Sequence, residues 1–191
     1  MQLLAELYTV NKQPLKALEI YLKLEEEIYD PAISKDIFRK MAPLHQQLEN
    51  YDLAVTYLQK VLNVETDAQS KASLLTKIAG NYKKANKMEP CIEAGQQAYD
   101  TLCNTLGKQD LQSCRALVNL GGIYMHFQNN EKATEIFKQY LALFEATEEM
   151  KNDHNYTKLK EVVQGQLDSL EGGEEYYDEE APEDKENAKD Q

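Results

Sequence analysis

The stretch LVNLGGIYMHFQNNEKATEIF, residues 117–137, decides the fold class of this 191-residue chain. A large apolar residue, Leu120, is followed by the small Gly121, and the ring of Tyr124 comes three residues later. After a short polar turn, a second small residue, Ala133, stands four positions before another ring. Apolar residues that recur three and four apart predict helices with one buried face. The stretch therefore predicts two antiparallel helices that cross closely at their small residues.

The same spacing occurs in three earlier segments, so the chain is an array of repeats. The small residues of the first helices are Ala5, Ala42, Ala79 and Gly121, which lie 37, 37 and 42 residues apart. The rings that follow them are Tyr8, His45, Tyr82 and Tyr124, and the second small residues are Ala17, Ala54, Cys91 and Ala133. We predict an all-α, right-handed α-solenoid of about four helix pairs, near residues 1–29, 35–66, 72–106 and 113–150. An apolar stripe in residues 154–170 predicts a C-terminal capping helix.

This pattern resembles the tetratricopeptide repeat, in the long-helix variant found in kinesin light chains and their relatives. The strongest copy is residues 117–137, and the weakest is the third, where Gly95 takes a position usually held by an aromatic residue. The period exceeds the family's usual ~34 residues, so we expect longer second helices. The resemblance implies a scaffold or adaptor that binds a protein or peptide, without catalytic activity.

Composition excludes several function classes. The net charge of −12 and the pI near 4.8 argue against nucleic-acid binding, including the RNA binding of some helical repeats. No apolar run approaches the ~20 residues of a membrane span, and no secretory signal is visible. Three cysteines without a paired spacing predict reduced thiols and a cytoplasmic location. The three histidines stand alone and no phosphate-binding or nucleophile motif is present, so we expect no enzyme activity, cofactor or metal.

The two ends of the chain carry separate predictions. Residues 171–191 hold ten acidic residues and two lysines, a net charge of −8, and almost no large apolar side chains. Such a segment cannot bury enough surface to fold, so we predict a disordered acidic tail that begins near Gly172. Met1 falls inside the first helix of the first repeat, from which we expect a fragment or short isoform of a longer array.

The first helix of each repeat lines the concave wall of such a stack. The repeat register predicts a peptide-binding groove formed by Arg39, Lys40, Gln46, Thr76, Lys77, Lys83, Lys84, Arg115, Asn119 and His126. This set is basic although the chain is acidic, so an acidic protein or peptide is the predicted partner. By the resemblance, Asn119 stands where related repeats hold a peptide backbone.

The groove leaves several functions open. The family's carboxylate clamp for chaperone C-termini needs paired lysine and asparagine, and its slots hold Arg39 with Pro43 and Thr76 with Gly80. A chaperone cofactor of that type is therefore not expected. The acidic tail is itself a candidate occupant of the groove. The alternative function is a permanent structural subunit of a motor, ciliary or similar assembly, which predicts an exposed apolar patch on the convex face or at an edge.

Overall fold

A computed structural model describes the backbone of residues 1–174 and the side chains of residues 1–172. The helices in this range are α1 (Gln2–Val10), α2 (Pro14–Glu27), α3 (Pro31–Gln47), α4 (Tyr51–Val64), α5 (Ala68–Lys84), α6 (Met88–Leu106), α7 (Leu111–His126), α8 (Asn130–Ala146), α9 (Glu148–Asn152) and α10 (His154–Glu174). Helices α1 to α8 each pack mainly against their neighbours in the chain, whereas α10 packs mainly on α8. The predicted all-α solenoid of four helix pairs is confirmed. Within the described residues, no helix is both long and apolar enough to cross a bilayer.

The four turns inside the helix pairs are structurally equivalent. In each turn one residue adopts a left-handed conformation, with φ between 55° and 60°, at Lys12, Glu49, Asn86 and Gln128. The carbonyl of each predicted ring residue accepts a 2.9 Å hydrogen bond from the amide five positions later, at Tyr8, His45, Tyr82 and Tyr124. This bond closes a helix in the Schellman pattern. The turns therefore keep the same 37, 37 and 42 residue spacing as the small residues, which confirms the repeat register.

The first helices of the second, third and fourth repeats begin two to four residues before the predicted starts of those repeats. Asp30, Asp67 and Asp110 stand immediately before α3, α5 and α7, and each side chain accepts hydrogen bonds from amides of the first turn. These N-caps extend the helices backwards. The second helices α2, α4, α6 and α8 have 14, 14, 19 and 17 residues; that they exceed the family's usual length stays a prediction.

The core lies between the paired helices, at the small residues. Ala42 and Ala79 are 3% exposed, and Ala17 and Ala133 are fully buried. A side chain at Gly121 would collide with α8, because a Cβ built there lies 2.4 Å from a carbon of the Phe137 ring. Alanine fits where the other helix pairs cross, whereas the crossing at position 121 has room only for glycine.

The C-terminal end is capped as predicted, with differences in length. The stripe of α10 packs on α8, with Val163 fully buried and Leu167 3% exposed. The hydroxyl of Tyr140 donates to the carbonyl of Tyr156 at 2.9 Å, which ties the cap to the fourth repeat. The short α9 was not predicted, and α10 continues four residues beyond 170. The rest of the predicted tail lies outside the described residues.

Candidate functional site

Two clefts separate the first helices on the inner wall of the stack. The α3–α5 cleft has a volume of about 480 Å³ and takes its floor from Leu58 of α4. Four of the predicted groove residues line it: Arg39, Gln46, Lys77 and Lys84. Pro43 and Gly80 stand at equivalent positions on its two walls, and neither carries a long side chain. The backbone of both helices is therefore open to a ligand here.

The α5–α7 cleft continues the groove along the next helix pair. It holds two adjoining cavities of about 220 Å³ and 360 Å³. The predicted residues Thr76, Lys83, Arg115 and Asn119 line these cavities, and Lys77 borders both this cleft and the α3–α5 cleft. Small residues of α6, among them Gly95 and Ala98, form the floor of the smaller cavity.

Four cations of the groove have no acidic partner in the described part of the chain. Lys77, Lys83, Lys84 and Arg115 make no ion pair with any residue of that part. These side chains line the two clefts, so this part of the inner wall carries positive charge although the chain is acidic overall.

Arg39 differs from these four because it has a buried counter-charge. Its Nη2 atom lies 2.5 Å from Glu65 Oε2, and the ammonium of Lys35 lies 3.0 Å from the same oxygen. The Lys35 ammonium holds the pKa of the Glu65 carboxyl below its usual range. Glu65 lies in the loop between α4 and α5, outside the repeat pattern, which explains why the sequence did not indicate it. Its carboxylate offsets much of the Arg39 charge.

Two predicted residues do not line either cleft. Lys40 pairs with Glu6 of the first repeat at 2.6 Å and with Asp36 at 2.8 Å. Hydrogen bonds to Asp36 and Glu6 raise the pKa of Lys40, so this side chain connects two repeats. His126 is exposed at the end of α7, with its ring edge-on to Phe127 at 4.9 Å between centroids.

The α3–α5 cleft also contains a residue that sequence reasoning missed. Asn81 is 3% exposed, and its amide oxygen has no hydrogen-bond partner. The equivalent positions in the flanking repeats hold the buried apolar residues Leu44 and Ile123. In the sequence, the polar Asn81 at a position that is apolar in the flanking repeats could have indicated this residue.

The described residues contain no cluster of three or more histidine, cysteine or acidic side chains that could hold a metal ion. Burial raises the pKa of the Cys114 thiol to about 12 and also raises that of Cys91. The Cys91 thiol donates to the carbonyl of Ala79 at 3.2 Å, which joins α6 to α5. These thiols belong to the core packing.

Comparison with known proteins agrees with the helical-repeat fold. A sequence model of the tetratricopeptide repeat matches residues 115–147, which is the fourth helix pair and the strongest predicted copy. The fold is similar to BtubC (BKLC) from P. vanneervenii, with a TM-score of 0.58 and 18% identity over 98% of this chain and 85% of that one. It is similar to the apo form of RapI, with a TM-score of 0.65 and 15% identity over 92% of this chain and 63% of RapI.

A putative kinesin light chain from Podosopora anserina, with nearly identical tetratricopeptide-like repeats, gives a TM-score of 0.59 and 15% identity over 94% of this chain and 95% of that one. No curated protein matches the sequence. At these identities the structures establish the fold. The chain is a helical-repeat protein. Residues 115–147 match a tetratricopeptide repeat, and the fold is similar to that of kinesin light chain-like repeats, as the sequence predicted. The repeat is typical of protein-interaction scaffolds in general.

Proposed function

We propose that this protein is an interaction scaffold that binds an extended acidic peptide segment along the two clefts. The four groove cations without ion pairs carry this proposal. A chain of net charge −12 repels acidic partners at long range, and these cations give such a partner one attractive surface. Asn119, at the junction of the two cavities of the α5–α7 cleft, offers donors and an acceptor to a peptide main chain.

Peptide-binding measurements test the proposal directly. The probe is a fluorescein-labelled peptide with the acidic sequence EEYYDEEAPEDKE, and anisotropy is measured at low and at moderate salt. We expect binding that weakens with salt, because exposed charges are screened within ~10 Å at 0.1 M. The triple variant Lys83→Glu, Lys84→Glu, Asn119→Ala should bind roughly tenfold more weakly at low salt, since attraction becomes repulsion at two positions.

A charge-matched control separates the groove from general electrostatics. Lys138→Glu with Lys158→Glu makes the same two charge reversals at exposed positions outside both clefts. This double variant should keep most of the affinity. Equal losses in the groove variant and the control, or no binding at low salt to a chain that lacks residues 175–191, contradict the proposal.

The probe has the sequence of residues 174–186, because we propose that the acidic tail competes for the same groove. The tail carries most of the chain's net charge, and tethering gives it an effective concentration near ~1 mM. Since α10 extends to Glu174, the deletion that tests this removes residues 175–191. The shortened chain should bind the peptide more tightly at low salt, and an unchanged affinity removes the competition.

A second candidate function is favoured by an apolar edge on α1. Leu3, Leu7 and Val10 are 82%, 54% and 78% exposed and lie on one face of the helix. In the inner repeats the equivalents of Leu7 are buried against the preceding helix pair. This edge is suited to permanent packing against another protein, as in a structural subunit of a larger assembly.

The scaffold function and the structural-subunit function use different surfaces, so a substitution on one surface should affect only one of them. Leu7→Glu should block assembly through the α1 edge and leave peptide affinity unchanged. Leu53→Glu is the matched control, because Leu53 is 47% exposed on α4. Size-exclusion chromatography with light scattering measures the assembly. A wild type that stays monomeric at high concentration contradicts self-assembly through the α1 edge, and peptide binding by the same protein supports the scaffold function.

A further inference from the structure

The wall of the α3–α5 cleft contains a hydrogen-bond acceptor that the folded chain does not use. The side-chain amide of Asn81 donates to the carbonyl of Lys77 at 2.8 Å. This bond fixes the orientation of the amide, so the unpartnered atom is the oxygen Oδ1. A buried acceptor without a donor destabilises a protein. The flanking repeats avoid this with Leu44 and Ile123 at the same position.

On the opposite wall of the cleft, a main-chain carbonyl lacks the N–H group that would normally donate to it. Pro43 lies inside α3 and has no N–H, so the main-chain carbonyl of Arg39 loses the amide that a regular helix would supply. Arg39 and Pro43 both line the cleft, and Pro43 is exposed. The two walls of the same cleft therefore each contain an oxygen that lacks its usual donor.

The chemistry of the cleft narrows the class of ligand. Lys77 and Lys84 line it without ion pairs in the described residues, so anionic groups are attracted. A simple anion or a nucleic-acid phosphate offers no N–H group to the two carbonyl oxygens. An acidic peptide supplies both, because its main chain donates and its side chains are anionic. At Gly80 a Cβ would meet no atom within 4 Å, so a main chain can approach the wall.

We infer that the α3–α5 cleft is the anchoring subsite of the groove, where Asn81 Oδ1 and the Arg39 carbonyl accept main-chain N–H groups of an acidic peptide and Lys77 and Lys84 pair with its carboxylates. This inference rests on the proposed function, since the occupant is the same acidic segment. Oδ1 is buried in the unliganded cleft. A ligand N–H therefore reaches it only when flexible side chains of the cleft move aside.

Two substitutions should stabilise the fold: the first removes the Asn81 acceptor, and the second gives the Arg39 carbonyl a donor within the helix. Asn81→Leu places the residue type of Leu44 at the equivalent position, and Pro43→Ala restores the helical amide that pairs with the Arg39 carbonyl. Both variants should melt a few degrees higher than the wild type, and each should bind the labelled peptide EEYYDEEAPEDKE about tenfold more weakly, the effect of one lost hydrogen bond. Because the variants are more stable, weaker binding cannot come from unfolding.

A control and a second probe isolate the main-chain contacts. Gly165→Ala stabilises α10 in an exposed position away from both clefts, so it should raise the melting temperature and leave affinity unchanged. The second probe is the same peptide with N-methylated main-chain amides, which retains the charge and lacks the donors. It should bind the wild type more weakly than the unmodified peptide and show a smaller further loss on Asn81→Leu.

The outcomes distinguish this inference from the proposed function. If the wild type binds the acidic peptide and both cleft variants keep full affinity, the anchoring subsite is refuted and the groove function remains. If N-methylation weakens binding equally in the wild type and in Asn81→Leu, Asn81 does not accept a main-chain N–H and the inference is again refuted. If a chain that lacks residues 175–191 binds no acidic peptide at low salt, the proposed function itself is refuted.

Discussion

Two adjacent glycines in α7 give a direct test of the close helix crossing. A Cβ built on Gly121 lies 2.4 Å from Cε1 and 2.8 Å from Cδ1 of Phe137, whereas a Cβ on Gly122 meets no atom within 4 Å. Both glycines lie inside the same helix, so an alanine improves helix propensity equally at either position. The difference between Gly121→Ala and Gly122→Ala therefore measures the crossing alone.

The expected magnitudes follow from the surroundings of each position. Gly122→Ala should stabilise the protein by ~0.5–1 kcal/mol, the usual gain inside a helix. Phe137 is fully buried, so its ring cannot swing away from a new methyl group at position 121. The clash must separate α7 from α8 or distort the ring, at ~1–3 kcal/mol. We expect Gly121→Ala to be ~1–3 kcal/mol less stable than Gly122→Ala.

Urea denaturation followed by far-UV circular dichroism measures both variants beside the wild type. The midpoint and the slope are compared separately, because helical repeats can lose cooperativity along the stack. A lower midpoint with an unchanged slope in Gly121→Ala matches the prediction. If both variants are stabilised to the same extent, position 121 does not lie at a close crossing and the packing derived for α7 and α8 is wrong.

Three further substitutions test other features. His45→Phe should reduce the loss of stability between about pH 7 and pH 5. Burial lowers the pKa of His45, so as the pH falls the unfolded chain, with a histidine pKa near ~6.5, takes up the proton before the folded chain does. Thermal melts of the variant and the wild type at both pH values measure this, and equal acid sensitivity refutes it. Glu49→Gly should raise the melting temperature by roughly 2–4 °C, since glycine tolerates the φ of 59° there, whereas Asp52→Gly in α4 should lower it. Glu65→Gln should tighten binding of the acidic peptide at low salt by releasing Arg39, and weaker binding in the anisotropy assay would show that Arg39 does not face the ligand.

The repeat register was predictable because it depends on side-chain size at fixed spacing. A small residue is required wherever two helices cross closely, and the ring position fixes where the turn begins. Gly121 and Tyr124 obey this rule in the fourth repeat, and Ala42 and His45 obey it in the second. His45 replaces a core tyrosine and stacks on Tyr57, with 5.3 Å between ring centroids, so even this departure keeps a ring at the position.

The electrostatics of the groove were only partly predictable. The position of a residue in the repeat predicts that its side chain lies on the inner wall. Whether that side chain forms an ion pair depends on acidic residues of other elements, which the repeat pattern does not predict. Lys40 pairs with Glu6, 34 residues away, and Arg39 pairs with Glu65, 26 residues away. Both pairs cross between structural elements, and the second involves a loop residue. The lysines in the middle of the groove have no such neighbour in the described residues.

The third repeat, whose motif is the weakest, is packed by side chains from the next helix pair. Gly95 leaves empty the space that Phe137 fills in the fourth repeat, but side chains of the next helix pair enter it. A Cβ at Gly95 would lie 2.8 Å from Cδ1 of Ile123 and 3.3 Å from Cδ1 of Leu120. Residues of neighbouring repeats therefore pack together, whereas the repeat motif considers only the residues within one repeat. Gly95 and Ala98 also line the smaller cavity of the α5–α7 cleft. Gly95, the residue that departs from the motif, therefore also shapes the groove.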